Sequence, residues 1–216
     1  IIMNHSEESD ADLIFYNSDG SESGACGNGT RCVAYLISEE SNKREIILKT
    51  KSGDLNSKIL DKNLVETVIG IAKTEWKEIP ISQKMDTKNL NLKIEDKNKN
   101  EYFGGTAVNV GNPHVIFFVD KLENFNLEDI GPNLEINKLF PDRCNITLAE
   151  IRDSKKIFVK VWERGAGLTK ACGSAACATA FASKLNGLTE NEVDIEFELG
   201  NLSIFINKNN SIKMKG

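Results

Sequence analysis

Ala25-Cys26-Gly27-Asn28 recurs 146 residues further along the chain as Ala171-Cys172-Gly173-Ser174, and this repeat decides how the sequence is organised. After each copy the apolar residues follow helical spacing, and two strand patterns separated by a Gly-containing turn come next. Self-similarity at a fixed offset is typical of a duplicated structural unit. The sequence therefore predicts two related halves, each with one helix that begins directly after a cysteine.

The strand patterns outnumber the helices. The first helix is predicted to reach Ser38, and the second to stop before Asn186-Gly187. Hairpin-like pairs are expected at 45–49 with 55–60 and at 193–199 with 202–206, and other strands at 13–17, 63–70, 106–110, 114–119, 145–150 and 156–163. The polar stretch 84–101 is interpreted as an exposed hairpin or loop. We expect a strand-rich α+β protein.

The composition excludes several classes of protein. The 216 residues are 40% hydrophobic and 27% charged, as in a folded globular chain. A net charge of −5 without a basic patch argues against a nucleic acid partner. The longest apolar run is 115–119, which is too short for a membrane span, and no signal peptide pattern precedes it. A cytoplasmic protein is expected, with no nucleic acid and no membrane as partners.

The two halves are assigned to residues 1–75 and 76–216, with the boundary after the last strand of the first half. The chain begins at Ile1 without Met, and its last residues stop inside a strand pattern. On this basis we expect the first half to lack its first strands and the second half to lack a final strand after residue 216.

A cysteine at the first turn of a helix has a distinctive chemistry. The free amide hydrogens there carry partial positive charge, so they favour a thiolate and can also bind an anion beside it. Gly27 and Gly173 let the backbone approach a ligand closely. Two such helix starts in a pseudo-twofold pair would present Cys26 and Cys172 to one bound anion. That arrangement can remove a proton from one face of a carbon and return one on the other.

Other interpretations of the cysteines explain fewer features of the sequence. Cys32, Cys144 and Cys177 are expected to be small buried hydrophobic residues. The cysteine spacings do not suit zinc, and no metal site is predicted. A Cys-His hydrolase using His114 remains possible but leaves the repeated motif unexplained. The Gly spacing matches neither a dinucleotide fingerprint nor a phosphate loop.

Six motifs, in order along nearly the whole chain, resemble diaminopimelate epimerase. They are Asn17-Ser-Asp-Gly-Ser, Ala25-Cys-Gly-Asn-Gly-Thr-Arg-Cys32, Gly111-Asn-Pro-His114, Arg143-Cys-Asn145, Glu163-Arg-Gly-Ala-Gly167 and Ala171-Cys-Gly-Ser174. The resemblance implies an α+β fold of two pseudosymmetric domains, each a mostly antiparallel barrel-like sheet around a central helix. It also implies a homodimer and a cofactor-independent isomerase that interconverts LL- and meso-diaminopimelate for lysine and peptidoglycan precursors.

Carried over by position, the resemblance makes Cys26 and Cys172 the acid and base, assisted by His114 and Glu163. The backbone amides beside the two cysteines would bind the carboxylate at the reacting carbon. Several polar residues would bind the distal end of the substrate. The substrate-binding set is Asn17, Gly27, Asn28, Asn112, Asn145, Glu163, Arg164, Gly173 and Ser174. Ala175 departs from the family by standing where a Gly is usual.

Three alternatives stay open at this point. A proline or hydroxyproline racemase would use the same two-cysteine chemistry, although that family usually has His where Asn28 stands. Isomerases of the phenazine-biosynthesis type share the fold and generally lack the cysteine pair. A duplicated carboxylate-binding module would use the helix starts without catalysis.

Overall fold

The computed structural model describes residues 1–16, 20, 22–24, 26–51 and 53–216. Two compact units divide them: residues 1–71 with 207–216, and residues 72–206. Within the described part of the chain, every helix is too short or too polar to cross a membrane.

The strands and helices follow one another as a mixed, sheet-dominated α+β chain. In order they are β1 (Ile2–Asn4), β2 (Ala11–Tyr16), β3 (Glu22–Ser23), α1 (Gly27–Ser41), β4 (Glu45–Thr50), β5 (Gly53–Asp61), β6 (Leu64–Ile71), β7 (Leu92–Glu95), β8 (Glu101–Gly104), β9 (Thr106–Asn109), β10 (Pro113–Phe118), α2 (Leu127–Glu135), β11 (Asn145–Asp153), β12 (Lys156–Glu163), β13 (Gly167–Thr169), α3 (Gly173–Leu185), β14 (Glu192–Phe197), β15 (Gly200–Ile206) and β16 (Ser211–Lys215). A short 3-10 turn at Leu122–Asn124 precedes α2.

The first unit is a sheet with the strand order β1-β2-β4-β5-β6-β16. All neighbours are antiparallel except β2 and β4, which run parallel because α1 connects them. Side chains alternate between buried and exposed along β4, so one face of this sheet is covered. Ala34 of α1 packs into the core that β2 and β4 line.

The second unit has the strand order β15-β14-β12-β11-β10-β9. Its two parallel pairs, β10 with β11 and β12 with β14, are connected through α2 and α3 respectively. Ten of the 13 residues of α3 are buried, which makes it the central helix of the unit. The small side chains of this helix allow the surrounding elements to approach closely.

Each unit contains the same series of elements around its helix. In the first unit β2, β3, α1, β4 and β5 follow one another, and in the second β12, β13, α3, β14 and β15 do so. The pairings agree as well: β2 is parallel to β4 and β12 is parallel to β14, and a hairpin follows in each unit. The expected fold class, an α+β chain of two related halves built on helices that follow cysteines, is confirmed.

The structural units divide the chain differently from the single boundary expected after residue 75. The chain passes from the first unit to the second after Ile71, and residues 207–216 belong with the first unit. The physical reason is strand pairing, because β16 runs antiparallel to β6 from Ser211↔Ile71 to Lys215↔Glu66. Such a return over more than 130 residues leaves no local signal in the sequence.

Helix α2 was not indicated by the sequence, because Gly131-Pro132 lies in its middle and normally marks a break. Asn126 caps its first turn by accepting a hydrogen bond from the Glu128 backbone N–H at 3.2 Å. The expected exposed segment does form a hairpin, β7 with β8, but Leu90 and Ile94 in it are buried.

The prediction for the three remaining cysteines is confirmed for two of them. Cys144 and Cys177 are buried, whereas Cys32 is exposed, so its expected burial was wrong. Thr30 and Ala34 define the buried side of α1, and Cys32 lies between them in sequence on a different side of the helix.

Candidate active site

Cys26 and Cys172 occupy the same position at the start of their helices. Both are N-cap residues in extended conformation, with φ and ψ of −137° and 105° for Cys26 and −144° and 115° for Cys172. Their carbonyl oxygens accept the first helical hydrogen bonds, from Thr30 N at 2.8 Å and from Ala176 N at 3.0 Å. Each sulfur therefore lies beside the amides of a first helical turn, which have no acceptor within the helix.

In the first unit the Cys26 side chain is exposed, and its Sγ accepts a hydrogen bond from the Gly29 backbone N–H at 3.5 Å. Asn28 Oδ1 accepts a hydrogen bond from Arg31 Nη2 at 3.0 Å. A Cβ on Gly27 would stand 2.5 Å from Met214 Cε, so a glycine allows this helix start to pack against β16. Asn17, a predicted binding residue, lies outside the described residues.

In the second unit the Cys172 thiol is surrounded by polar side chains although it is buried. Its Sγ donates to Glu163 Oε2 at 3.0 Å and lies 3.4 Å from Ser174 Oγ. Burial raises the pKa of the Cys172 thiol well above its ordinary value, and the neighbouring Glu163 carboxylate raises it further. Cys172 is therefore a protonated thiol, and the thiolate expected at this helix start is wrong for it, because burial outweighs the effect of the backbone amides.

His114 is fully buried and contacts the same group. Its Nε2 lies 2.9 Å from Asn112 Oδ1 and 3.1 Å from Ser174 Oγ, so Ser174 lies between the imidazole and Cys172. Burial, and then the positive charge of Arg164, lower the pKa of His114 to about 3. The imidazole is consequently neutral, and its buried Nδ1 has no hydrogen bond partner within the described part of the chain.

Asn145 and Arg164 are joined through the backbone. The buried Asn145 side chain donates from Nδ2 to Pro113 O at 2.9 Å and accepts at Oδ1 from Arg164 N at 3.0 Å. It thus connects the start of β10 to the turn after β12. Arg164 Nη1 donates to Asp142 O at 2.7 Å, which leaves other guanidinium donors for a ligand.

The second unit brings together most of the residues predicted from the sequence. The side chains of Asn112, His114, Glu163, Cys172 and Ser174 form one connected hydrogen-bonded group, and Asn145 and Arg164 adjoin it. Gly173 opens α3 between Cys172 and Ser174 and is buried.

The sequence reasoning missed Glu135, a buried acidic residue whose carboxylate contacts the turn that carries Glu163 and Arg164. The signal that could have found it is an acidic residue within the otherwise apolar pattern of Ile130, Leu134 and Ile136.

The comparison with protein families decides between the open alternatives. The family model described as diaminopimelate epimerase matches residues 1–75 and 106–216, which include both cysteine motifs and the Glu163-Arg164 pair. The chain belongs to the diaminopimelate epimerase family. A diaminopimelate epimerase of Pelagibacter ubique (strain HTCC1062) is 59% identical over 216 residues, covering all of this chain and 79% of that protein. One of Acidiphilium cryptum (strain JF-5) is 40% identical over 216 residues, covering 76% of that protein.

Solved structures of other epimerases and isomerases share the fold. A hydroxyproline epimerase from Agrobacterium vitis superposes with a TM-score of 0.69 at 12% identity, over 98% of this chain and 68% of that one. A phenazine biosynthesis protein of the PhzF family from Bacillus anthracis has a TM-score of 0.66 at 17% identity, over 99% and 79%. The predicted membership of this fold and family, and the isomerase class, are confirmed.

Proposed function

We propose that this protein is a diaminopimelate epimerase that interconverts the LL and meso forms by proton transfer at one Cα. The observation that carries the proposal is the matched placement of Cys26 and Cys172 at two helix starts, in a chain whose family is diaminopimelate epimerase. The substrate is a small molecule, and the reaction as proposed uses no cofactor and no metal.

The reaction is an exchange of protons at a single carbon. One sulfur, as thiolate, takes the Cα proton, so that the C–H bond breaks, an S–H bond forms and the electron pair moves into the α-carboxylate. The other sulfur, as thiol, gives its proton to the opposite face of the same carbon. Cys26 and Cys172 exchange these roles when the direction reverses, so the pair carries one proton between them.

The charge that moves into the carboxylate has to be stabilised. Backbone amides of Gly27, Asn28, Gly173 and Ser174 lie in the first turns of α1 and α3, where no helical acceptor faces them. We propose that these amides bind the α-carboxylate and strengthen their hydrogen bonds as it gains negative charge.

Glu163 and His114 support the thiol of the second unit. We propose that Glu163 takes the proton of Cys172 when that sulfur must become the base, because its carboxylate oxygen is already 3.0 Å away. His114, held neutral, orients Ser174 beside the sulfur. Glu163 releases this proton to solvent, and its carboxylate can then receive the substrate ammonium.

The distal end of the substrate carries a second amino group and a second carboxylate. We propose that Arg164 binds this carboxylate with the guanidinium donors that Asp142 leaves free, and that Asn17, Asn112 and Asn145 complete the binding site. A doubly zwitterionic substrate is therefore favoured over proline, which has no distal charges.

The experiment that tests this function is a chiral separation of the diaminopimelate isomers after incubation with the LL form. L-proline and trans-4-hydroxy-L-proline serve as competing substrates, and hydroxylamine, which traps pyridoxal phosphate, serves as a cofactor control. We expect meso product in the first reaction, no turnover of the two imino acids and no effect of hydroxylamine. Turnover of an imino acid without turnover of diaminopimelate would overturn the proposal.

We also propose that the protein acts in the cytoplasm as a homodimer, as the family resemblance implies. Light scattering coupled to gel filtration tests the assembly, with twice the mass of the chain as the expected result and the mass of one chain as the contradicting result.

A further inference from the structure

Glu135, the last residue of α2, is buried and places its carboxylate among three donors. Oε2 accepts from Trp162 Nε1 at 2.7 Å, and Oε1 accepts from Gly165 N at 3.0 Å and from Arg143 Nη1 at 3.4 Å. Only 7% of the residue is exposed, so these groups replace the water that a carboxylate would otherwise bind.

The donors that Glu135 binds flank the predicted site residues. Trp162 directly precedes Glu163, and Gly165 directly follows Arg164. The Glu135 backbone carbonyl also accepts from Cys144 N at 3.3 Å, the residue directly before Asn145. One residue of α2 therefore contacts both ends of the Glu163-Arg164 turn and the segment that leads to Asn145.

The turn itself depends on the orientation of a peptide group. Residues 163–166 form a β-turn, because Ala166 N donates to Glu163 O at 3.0 Å. Gly165 has a φ of 74°, as the third residue of a type II turn requires. The Gly165 N–H belongs to the central peptide group of this turn, which joins Arg164 to Gly165. In a type I turn this peptide group has the opposite orientation. The bond from Gly165 N to Glu135 Oε1 holds the type II orientation.

The indole of Trp162 is fixed on the same helix. A Cβ on Gly131 would clash with the Trp162 ring, so the glycine lets the indole pack against α2, one turn before Glu135. The ring position in turn directs its N–H to Glu135 Oε2. Gly131 and Glu135 together hold the end of β12 that delivers Glu163.

We propose that Glu135 is a positioning residue for the epimerase reaction, and that its carboxylate sets the places of Glu163 and Arg164. The inference rests on the proposed function, because that function assigns proton transfer to Glu163 and carboxylate binding to Arg164. A shift of about 1 Å in a reacting group can reduce a rate about 100-fold, so the 3.0 Å separation of Glu163 Oε2 and Cys172 Sγ must be maintained.

The test compares Glu135→Gln with Glu150→Gln, since the two residues are closely matched. Glu150 is 8% exposed, accepts from the Leu122 backbone N–H at 2.9 Å and pairs with Arg152 at 2.6 Å. Neither of these partners adjoins a predicted site residue. Steady-state kinetics with LL-diaminopimelate are measured at a temperature at which thermal unfolding shows each variant to be fully folded.

We expect Glu135→Gln to lower kcat/KM by about 10-fold to 100-fold, with both a raised KM and a reduced kcat, because Arg164 and Glu163 are displaced together. Glu150→Gln should lower the melting temperature similarly but keep kcat and KM within about 2-fold of the unaltered protein. Kinetic parameters of Glu135→Gln that equal those of Glu150→Gln would overturn the inference.

Trp162→Phe provides a second variant, which keeps a smaller aromatic ring but removes the N–H that donates to Glu135. We expect a smaller loss of kcat/KM than in Glu135→Gln, and a double variant no worse than Glu135→Gln alone, because both changes break one arrangement. Fully additive losses, or no loss in Trp162→Phe when Glu135→Gln fails to fold, would overturn the inference. If the unaltered protein does not turn over LL-diaminopimelate, the proposed function itself fails, and this outcome is read from the control reaction.

Discussion

The Sγ of Cys172 lies 3.0 Å from Oε2 of Glu163, and the thiol donates a hydrogen bond to that carboxylate. The contact joins the end of β12 to the start of α3, two elements of the second unit whose order repeats around Cys26 in the first. A buried thiol is a poor base unless something can take its proton. We propose that the Glu163 carboxylate is this acceptor.

Glu163→Gln removes the acceptor and one of the two main causes that raise the Cys172 pKa. We expect kcat to fall by about 100-fold. The pH profile for alkylation of Cys172 should at the same time move to lower pH, since burial alone then raises the pKa. Peptide mass spectrometry after iodoacetamide treatment at several pH values measures the shift, with Glu150→Gln as the control. An unchanged pH profile for alkylation would show that Glu163 does not affect the pKa of the Cys172 thiol.

Arg164→Lys keeps the positive charge but loses the planar fork and the contact with the Asp142 carbonyl. We expect KM for diaminopimelate to rise about 10-fold or more while kcat changes less, since the distal carboxylate is bound similarly in the ground state and the transition state. Steady-state kinetics decide this. Arg152→Lys, whose exposed guanidinium pairs with the buried Glu150 carboxylate, is the matched control and should leave KM unchanged.

His114 makes folding stability dependent on pH. The folded pKa is lowered to about 3 by burial and by Arg164, whereas the unfolded value is about 6.5. Above about pH 6.5 both states are neutral and no stability is lost. Below it only the unfolded state binds the proton, so stability falls by about 1.4 kcal/mol per pH unit until about pH 3.

Urea unfolding at pH 7.5 and pH 5 checks this prediction for the unaltered protein and for His114→Asn. The loss of stability between the two pH values should be smaller in the variant by roughly 2 kcal/mol. His5→Asn is the control, because His5 is exposed. Equal pH dependence of all three proteins would show that His114 is not the buried neutral group described above.

Gly131→Ala adds a methyl group that clashes with the Trp162 ring. The rigid indole cannot move aside as the end of a flexible side chain could. We expect a destabilisation of about 1–3 kcal/mol together with a loss of activity, because the ring also directs its N–H to Glu135. Gly104→Ala, where a Cβ would meet no atom within 4 Å, should be close to neutral. Unfolding curves and kcat/KM for both variants give the result.

The sequence predicts the parts of the fold that have local periodicity. β12 was expected at 156–163 and is found at Lys156–Glu163, and α3 ends at Leu185, before the predicted stop. The pairing of β16 with β6 and the helix around Pro132 were not predicted. Strand pairing between distant segments and a tolerated proline depend on tertiary contacts, which short windows of sequence do not contain.

The candidate site also has residues that the sequence predicts and residues that it does not. The repeated cysteine motif identifies Cys26 and Cys172 because a helix start imposes a recognisable local sequence. The bridging bonds of Asn145 and the contacts of Glu135 join segments 19 to 32 residues apart. Their roles depend on which backbone groups lie beside them, and only the folded chain determines that.

The most direct test of the two-cysteine account is the fate of the Cα hydrogen in deuterium oxide, followed by mass spectrometry of the separated isomers at early times. The unaltered protein should form meso-diaminopimelate that carries solvent deuterium at the inverted carbon, while the remaining LL substrate stays protiated. Cys26→Ser and Cys172→Ser should each lower the rate of product formation by about 10³-fold, while Cys32→Ser and Cys177→Ala should not. Product that retains the substrate hydrogen, or normal turnover by either of the first two variants, would contradict the account.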